Sequence, residues 1–274
     1  MEIKYTLQGA LIYLTALFFA ATLFGRLIIW RMRRHHVELI SSMKQITAGF
    51  WFAGFVVAVV SLTWRGIHTG HPPMQNLFEF FLCMAAFLWP LSLLSRWRNG
   101  IDTTVQDAFL GLLILIPAGF VFDESVRRLP PALQSPLFVP HVACYVAGYI
   151  MLARAALMAT PMFGRVERQR LIMIDGAARQ TVSLGFLLIS IGLILGSLWG
   201  KICWGHYWQW DPKETWSLAT WMIYGAFFHL RLKTGLRYPK LLAVLLWIGL
   251  LFVILTLTWI NLSRLFKGMH TYAS

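Results

Sequence analysis

Residues 182–216 read VSLGFLLISIGLILGSLWGKICWGHYWQWDPKETW, and the first half of this stretch decides the fold. Val182–Trp199 carries no charge and approaches the ~20 apolar residues a helix needs to cross the hydrocarbon of a bilayer. Seven more such stretches lie outward from it, at about Leu7–Trp30, Thr47–Trp64, Leu77–Leu94, Val105–Phe122, Leu137–Ala159, Thr215–Leu230 and Leu241–Leu262. The composition agrees. The 274 residues are 58% hydrophobic and 13% charged, against about 45–50% and roughly 25% in a soluble domain. A single soluble core cannot absorb that excess, so the apolar surface faces lipid. A soluble enzyme, a disordered chain and a nucleic-acid binder are excluded, despite a net charge of +13. The architecture expected is all-α: a polytopic membrane protein of about eight transmembrane helices. Its connections are too short to fold separately, so residues 1–274 are expected to form a single integral-membrane domain.

Loop charge orients it. The segments after helices one, three, five and seven hold 14 Lys and Arg, against 8 on the opposite face. Arg26 and Arg154, near inner helix ends, widen the gap. By the positive-inside rule both termini, and the loop between helices six and seven, lie outside the cytoplasm. In the first stretch the basic cluster Arg31, Arg33, Arg34 follows the apolar run instead of preceding it. The stretch is therefore expected to be a span and not a cleaved signal peptide. Cys83, Cys144 and Cys203 form neither CxxC nor CxxCH, which excludes a disulfide framework and a covalent haem attachment site on this chain.

The outer loop Trp199–Trp216 carries the densest chemistry. Six of the 13 tryptophans, Trp199, Trp204, Trp208, Trp210, Trp216 and Trp221, fall within 23 residues. An interfacial belt uses one or two per helix end. A run in one loop better suits a large flat ligand whose face stacks while its edge stays wet. Asp211-Pro212-Lys213-Glu214 has a structural explanation: Asp211 caps a helix, Pro212 takes its first position and Glu214 closes a capping box. Lys213, Lys201 and Arg65 are ordinary interfacial cations that could also pair with ligand carboxylates.

Among the histidines, His68 and His71 fall in the first outer loop, where H-x-x-H is a weak metal signal. Just inside the next apolar run, Glu79 is either a functional acid or the salt-bridge partner of Arg65. His206 lies within the Trp loop, and His35 and His36 are solvated inner-loop residues. Taken singly, His141, after Pro140, and His270, in the tail, read as helix-end histidines. Together on the Trp-loop side they could be two axial imidazoles on a haem iron. His229 is harder to dismiss, because an ionisable group inside a span marks a site by default. It lies about 17 residues past Pro212, roughly 25 Å deeper along a helix.

These residues resemble a known family. WGHYWQWDPKETW, within a segment at about 199–221, is similar to the tryptophan-rich WWD signature of haem-handling membrane proteins. Its ending, DPKETW, matches the CcsA (ResC) branch of cytochrome c biogenesis and not the CcmC or CcmF endings. GHPPMQNLFEF resembles the family's GHxPxxNLYES. FFHLR, Pro140-His141 and GMHTYAS extend the match across residues 64 to 274 in the expected order. Phe78 and Phe80 depart from it, standing where Tyr and Ser are usual.

The resemblance implies that His141 and His270 ligate haem iron at an outer site, beside Trp204, Trp208, Trp210 and Asp211. It further implies that His229 is the iron ligand of an inner site. The cofactor implied is haem b, bound non-covalently and transported. The partners implied are a CcsB (ResB)-like membrane protein, supplying the companion ligand of the inner site, and apocytochrome c. Nucleic acid is not among them. The location implied is the bacterial cytoplasmic membrane or an equivalent thylakoid membrane, with the WWD loop on the outer side. No nucleophile–base pair is visible, so the chain reads as part of a cytochrome c synthase complex, without catalytic residues of its own. The competing reading is a membrane carrier for a metal ion or small molecule that uses the outer histidines for capture. It predicts acids lining several spans, where only Glu79 and Asp107 qualify.

Overall fold

The computed structural model describes residues 3–32 and 37–259. Among them are eight α-helices and no strand: α1 (Leu7–Met32), α2 (Val37–Thr69), α3 (Leu77–Asn99), α4 (Thr104–Phe120), α5 (Phe138–Ala159), α6 (Arg168–Trp204), α7 (Pro212–Thr234) and α8 (Pro239–Ile254). A π-helical turn, Leu255–Trp259, continues α8. Each of the eight apolar stretches, in its described part, overlaps one helix. Six helices are long and apolar enough to cross a membrane, and α4 is a shorter apolar helix. The chain is that of an integral membrane protein.

Two helices extend well beyond their apolar cores. α2 starts ten residues before Thr47, and α6 starts at Arg168, fourteen before Val182. The basic residues Arg168, Arg170 and Arg179, expected in a loop, are therefore helical. Hydropathy marks where hydrocarbon would begin, whereas backbone hydrogen bonding continues in water wherever the residues tolerate it.

The chain divides into two compact units, Met1–Arg128 and Leu129–Ser274. In the first, α1 packs on α2 and α4, and α3 closes the ring between them. Phe19 is fully buried at its centre against Trp51, 4.9 Å between rings. A Cβ on Gly54 of α2 or Gly111 of α4 would come within 2.8 Å of the Phe19 ring, so these glycines make its space. α3 is capped by Asn76, whose Oδ1 accepts from the Glu79 amide at 2.9 Å. It is stopped by Gly100 at φ 67°.

In the second unit α5 is the central element, packing on α6 and α8, while α7 packs between α6 and α8. The α5–α6 seam is built on close approach, since Gly148 faces Ile189, Gly185 faces Leu152, and Gly192 faces Tyr145. Lipid supplies no hydrophobic drive for helices to associate, so small residues that allow close contact are what hold such seams. At the far end, Arg231 of α7 clamps Asp175 of α6 with both its Nε and Nη2, the shortest bond being 2.7 Å. Arg154, assigned from sequence to the inner charge count, is fully buried within α5 and reaches the Met151 sulfur at 3.3 Å.

Candidate functional site

α6 does not stop where its apolar run stops. It continues to Trp204 and ends at Gly205, whose φ of 84° only glycine adopts readily and whose N–H donates to the Lys201 carbonyl. The loop is thus residues 205–211, and the six-tryptophan run divides. Trp199 is 3% exposed, and its indole N–H donates to the Ala132 carbonyl at 2.9 Å. Trp216 packs on Phe252 of α8. Trp221 donates to the Ser190 hydroxyl at 2.9 Å and stacks on Phe186. Trp199 is buried in the second unit, Trp216 and Trp221 are half-buried against α8 and α6, and Trp204, Trp208 and Trp210 lie at or within the loop itself. Trp204 rests on Trp199 at 5.2 Å, and Trp208 meets Trp210 edge-on at 5.9 Å.

Trp210 is 69% exposed and has φ 59°, the single positive-φ non-glycine among the described residues. A left-handed conformation costs an L-residue roughly 1–2 kcal/mol. The expected capping box holds it there. The Asp211 side chain accepts from the Lys213 amide at 2.8 Å, and Glu214 Oε2 accepts from the amides of Gln209 and Asp211, at 2.8 and 3.1 Å. The backbone on either side of the exposed indole is thereby pinned. Asp211 is buried and acts on the loop as its helix cap.

His141 stands in the first turn of α5. Its Nδ1 lies 2.9 Å from the carbonyl of Gly192 on α6. A carbonyl only accepts, so Nδ1 carries the proton and the lone pair sits on Nε2. The ring touches Tyr145 edge-on at 5.0 Å and Trp199 at 5.6 Å. His229 repeats the arrangement locally. It lies on the unbroken α7, exposed, with Nδ1 2.8 Å from the carbonyl of Gly225. An imidazole whose Nδ1–H is spent on a carbonyl has a fixed orientation and a more basic Nε2, the usual second partner of a metal-ligating histidine. The donor set therefore fits a haem iron. His206 is exposed in the loop. His270, His35 and His36 lie outside the described residues.

In the first unit, the segment Arg65–Glu79 is a structural knot. Arg65 Nε donates to Glu79 Oε1 at 3.0 Å, with both side chains buried, and its Nη atoms donate to the carbonyls of Glu124 and Ser125. Glu79 Oε2 accepts from the Gln75 amide at 2.8 Å. Of the two roles weighed for Glu79, the ion pair is the one observed. His68 lies on α2 and not in a loop, stacked on Trp64, and His71 faces the carbonyls of Pro72 and Arg127. Among the described residues, no three His, Cys, Asp or Glu side chains gather as they would for a metal ion. Asp107 accepts from Thr103 at 2.6 Å inside the first unit. In the connection between α4 and α5, hydrogen bonds from the Ser125 hydroxyl and amide hold the Asp123 carboxyl below the usual carboxylate range, helped by Arg127.

Sequence reasoning missed the α6 residues around His141. Gly192 and Gly196 have the four-residue spacing of a close-packing pair, which was the available signal. Nothing in sequence tied that pair to His141, 51 residues earlier.

Comparison with known proteins identifies the family. Residues 74–270 match the model of the cytochrome c assembly protein family. The cytochrome c biogenesis protein CcsA of Synechococcus sp. (strain CC9902) is 30% identical over 258 residues, covering 79% of this chain and 83% of that protein. CcsA of Prochlorococcus marinus (strain MIT 9313) is 30% identical over 262 residues, covering 79% and 80%. Among solved structures, cytochrome c haem lyase CcmF superposes with a TM-score of 0.68 at 16% identity, covering 94% of this chain and 48% of its own. The chain thus shares the fold of CcmF while spanning about half its length. It belongs to the cytochrome c assembly protein family, among the CcsA-type biogenesis proteins.

Proposed function

We propose that this protein, acting as one haem-handling domain, carries haem b non-covalently from the cytoplasmic side of its membrane to the outer face. There it presents haem for covalent attachment to apocytochrome c. The carrying observation is the matched pair of imidazoles. His141 and His229 each place Nδ1 on a glycine carbonyl, at 2.9 and 2.8 Å, which puts the lone pair of each ring on Nε2. His270 is the second outer ligand in this reading, and a CcsB (ResB)-like partner supplies the companion to His229. The loop, with both termini, lies on the outer side of the bacterial cytoplasmic or thylakoid membrane.

Haem is the cargo, and its iron and vinyl groups supply the reactivity toward the cytochrome's thiols. This chain's residues do the rest. His141 and His270 hold the iron, Trp204, Trp208 and Trp210 grip the macrocycle, and Asp211 with Glu214 keeps Trp210 in place. Positioning of this kind is what a presenter contributes. The carrier reading would need converging ligands, and Glu79 and Asp107 are engaged in structural bonds.

The test is the absorption spectrum of the purified protein. Wild type should show Soret and α bands of low-spin bis-imidazole haem. His141→Ala should shift them to mixed or high spin and abolish cytochrome c maturation, and added imidazole should partly restore both. A low-spin spectrum that survives loss of both His141 and His270 would rule these two out as the ligands.

A further inference from the structure

We infer that Trp199, with Gly192 and Gly196 on the same face of α6, is the positioning element that seats His141 for iron. The inference rests on His141 being a haem ligand. The three residues recur at i, i+4 and i+7, so they line one side of the helix. Each constrains the imidazole differently. The Gly192 carbonyl takes the Nδ1 proton at 2.9 Å and sets the ring's rotation. Gly196 provides the space, since a Cβ there would fall 2.6 Å from His141 Cε1 and 2.9 Å from Nδ1, closer than real Cβ atoms approach. Trp199 forms the wall, its ring 5.6 Å from the imidazole.

The wall is itself anchored. The Trp199 indole N–H donates to the Ala132 carbonyl at 2.9 Å, and the Cys203 thiol, one turn on, reaches the same oxygen at 3.3 Å. Phe138, one turn before His141 on α5, also packs on Trp199, at 6.0 Å between rings. A buried tryptophan bonded through its N–H and flanked by rings has no rotamer freedom left, so the imidazole beside it has little. A ligand histidine must hold its lone pair within about 0.5 Å of the productive position. A methyl group at Gly196 would displace the ring by more than that.

The experiment compares the spectra of purified full-length variants loaded with haem, with and without added imidazole. Gly196→Ala should convert most of the low-spin signal to mixed or high spin, and imidazole should return it. Trp199→Phe keeps a ring but removes the N–H, and should convert a smaller share. Gly176→Ala, on the same helix with no atom within 4 Å of the added Cβ, should match wild type. In a His141→Gly background supplied with imidazole, Gly196→Ala should cause no further change, because an untethered ligand can shift to avoid the methyl.

If Gly196→Ala and Trp199→Phe stay low-spin while His141→Ala does not, the seat is wrong and the ligand assignment stands. If His141→Ala stays low-spin, the ligand assignment itself has failed. If Gly196→Ala loses haem beyond rescue by imidazole while Trp199→Phe keeps the wild-type spectrum, the glycine serves the α5–α6 seam alone and the inference is overturned.

Discussion

His229 and Gly225 lie one turn apart on α7, and the imidazole turns back so that its Nδ1 donates to the glycine carbonyl at 2.8 Å. His141 makes the equivalent bond across a helix interface, to Gly192 at 2.9 Å. The first bond forms within a single helix and needs no neighbour. The second exists only when α5 and α6 are packed. The His229 bond should accordingly tolerate loosening of the bundle better than the His141 bond.

His229 lies roughly 25 Å along α7 from Pro212, too far for one macrocycle to span. His229→Ala should therefore lower the haem content of the purified protein severalfold, although His141 and His270 are intact. The pyridine haemochrome assay reads this directly. Full haem content together with full maturation would show that haem reaches the outer face by another route.

Trp210 holds a left-handed backbone that costs about 1–2 kcal/mol. Trp210→Gly should relieve that strain and raise, or leave unchanged, the thermal midpoint of the haem-free protein in detergent. The same variant should lose haem faster in a competition with apomyoglobin. A variant that retains haem like wild type would mean that the indole does not touch the macrocycle.

Arg65 and Glu79 form a buried pair that also holds two backbone carbonyls of the connection between α4 and α5. Removing one partner of such a pair typically costs about 3–5 kcal/mol, because a charge is left buried alone. Arg65→Met should lower the thermal midpoint sharply. Arg65→Met with Glu79→Met should lower it less, since the stranded carboxylate is gone. Equal losses would show that the carbonyl bonds matter and the pairing does not.

Asp102, in the short connection between α3 and α4, has a lowered pKa. Burial alone would raise it, but the Thr104 hydroxyl and amide, with Arg26 and Arg96, outweigh burial. A carboxyl depressed in the folded state adds stability above its unfolded pKa, near 3.8, and that stability is lost as pH falls through the lower folded value. Asp102 is half exposed, so the contribution is of the small surface kind. Asp102→Asn should lower stability slightly at neutral pH and leave it unchanged in strong acid, so that the acid limb of the profile flattens. An unaltered acid limb would assign that limb to other carboxyls.

The sequence by itself marked the apolar part of each of the eight helices among the described residues, because a bilayer demands a fixed length of apolar residues whatever surrounds it. The helix cap at Asp211 and Glu214 was legible for a similar reason. A capping box joins residues three apart, so its geometry is local and its residue types suffice. The pairing of Glu79 with Arg65 was visible only as one of two alternatives, since fourteen residues and a turn separate them.

The tertiary structure decided how the tryptophans of this run are packed. Trp199, Trp216 and Trp221 are spent on Ala132, Phe252 and Ser190, and composition cannot separate them from Trp208 and Trp210. It also decided the tautomer of His141 and the seat that holds it, because Gly192, Gly196 and Trp199 meet that ring only through the packing of α5 on α6. Hydrophobic length and caps act within a few residues of one chain segment. An imidazole's proton and orientation are set by whichever atoms the fold brings beside it, and those are specified by contacts that no local pattern records.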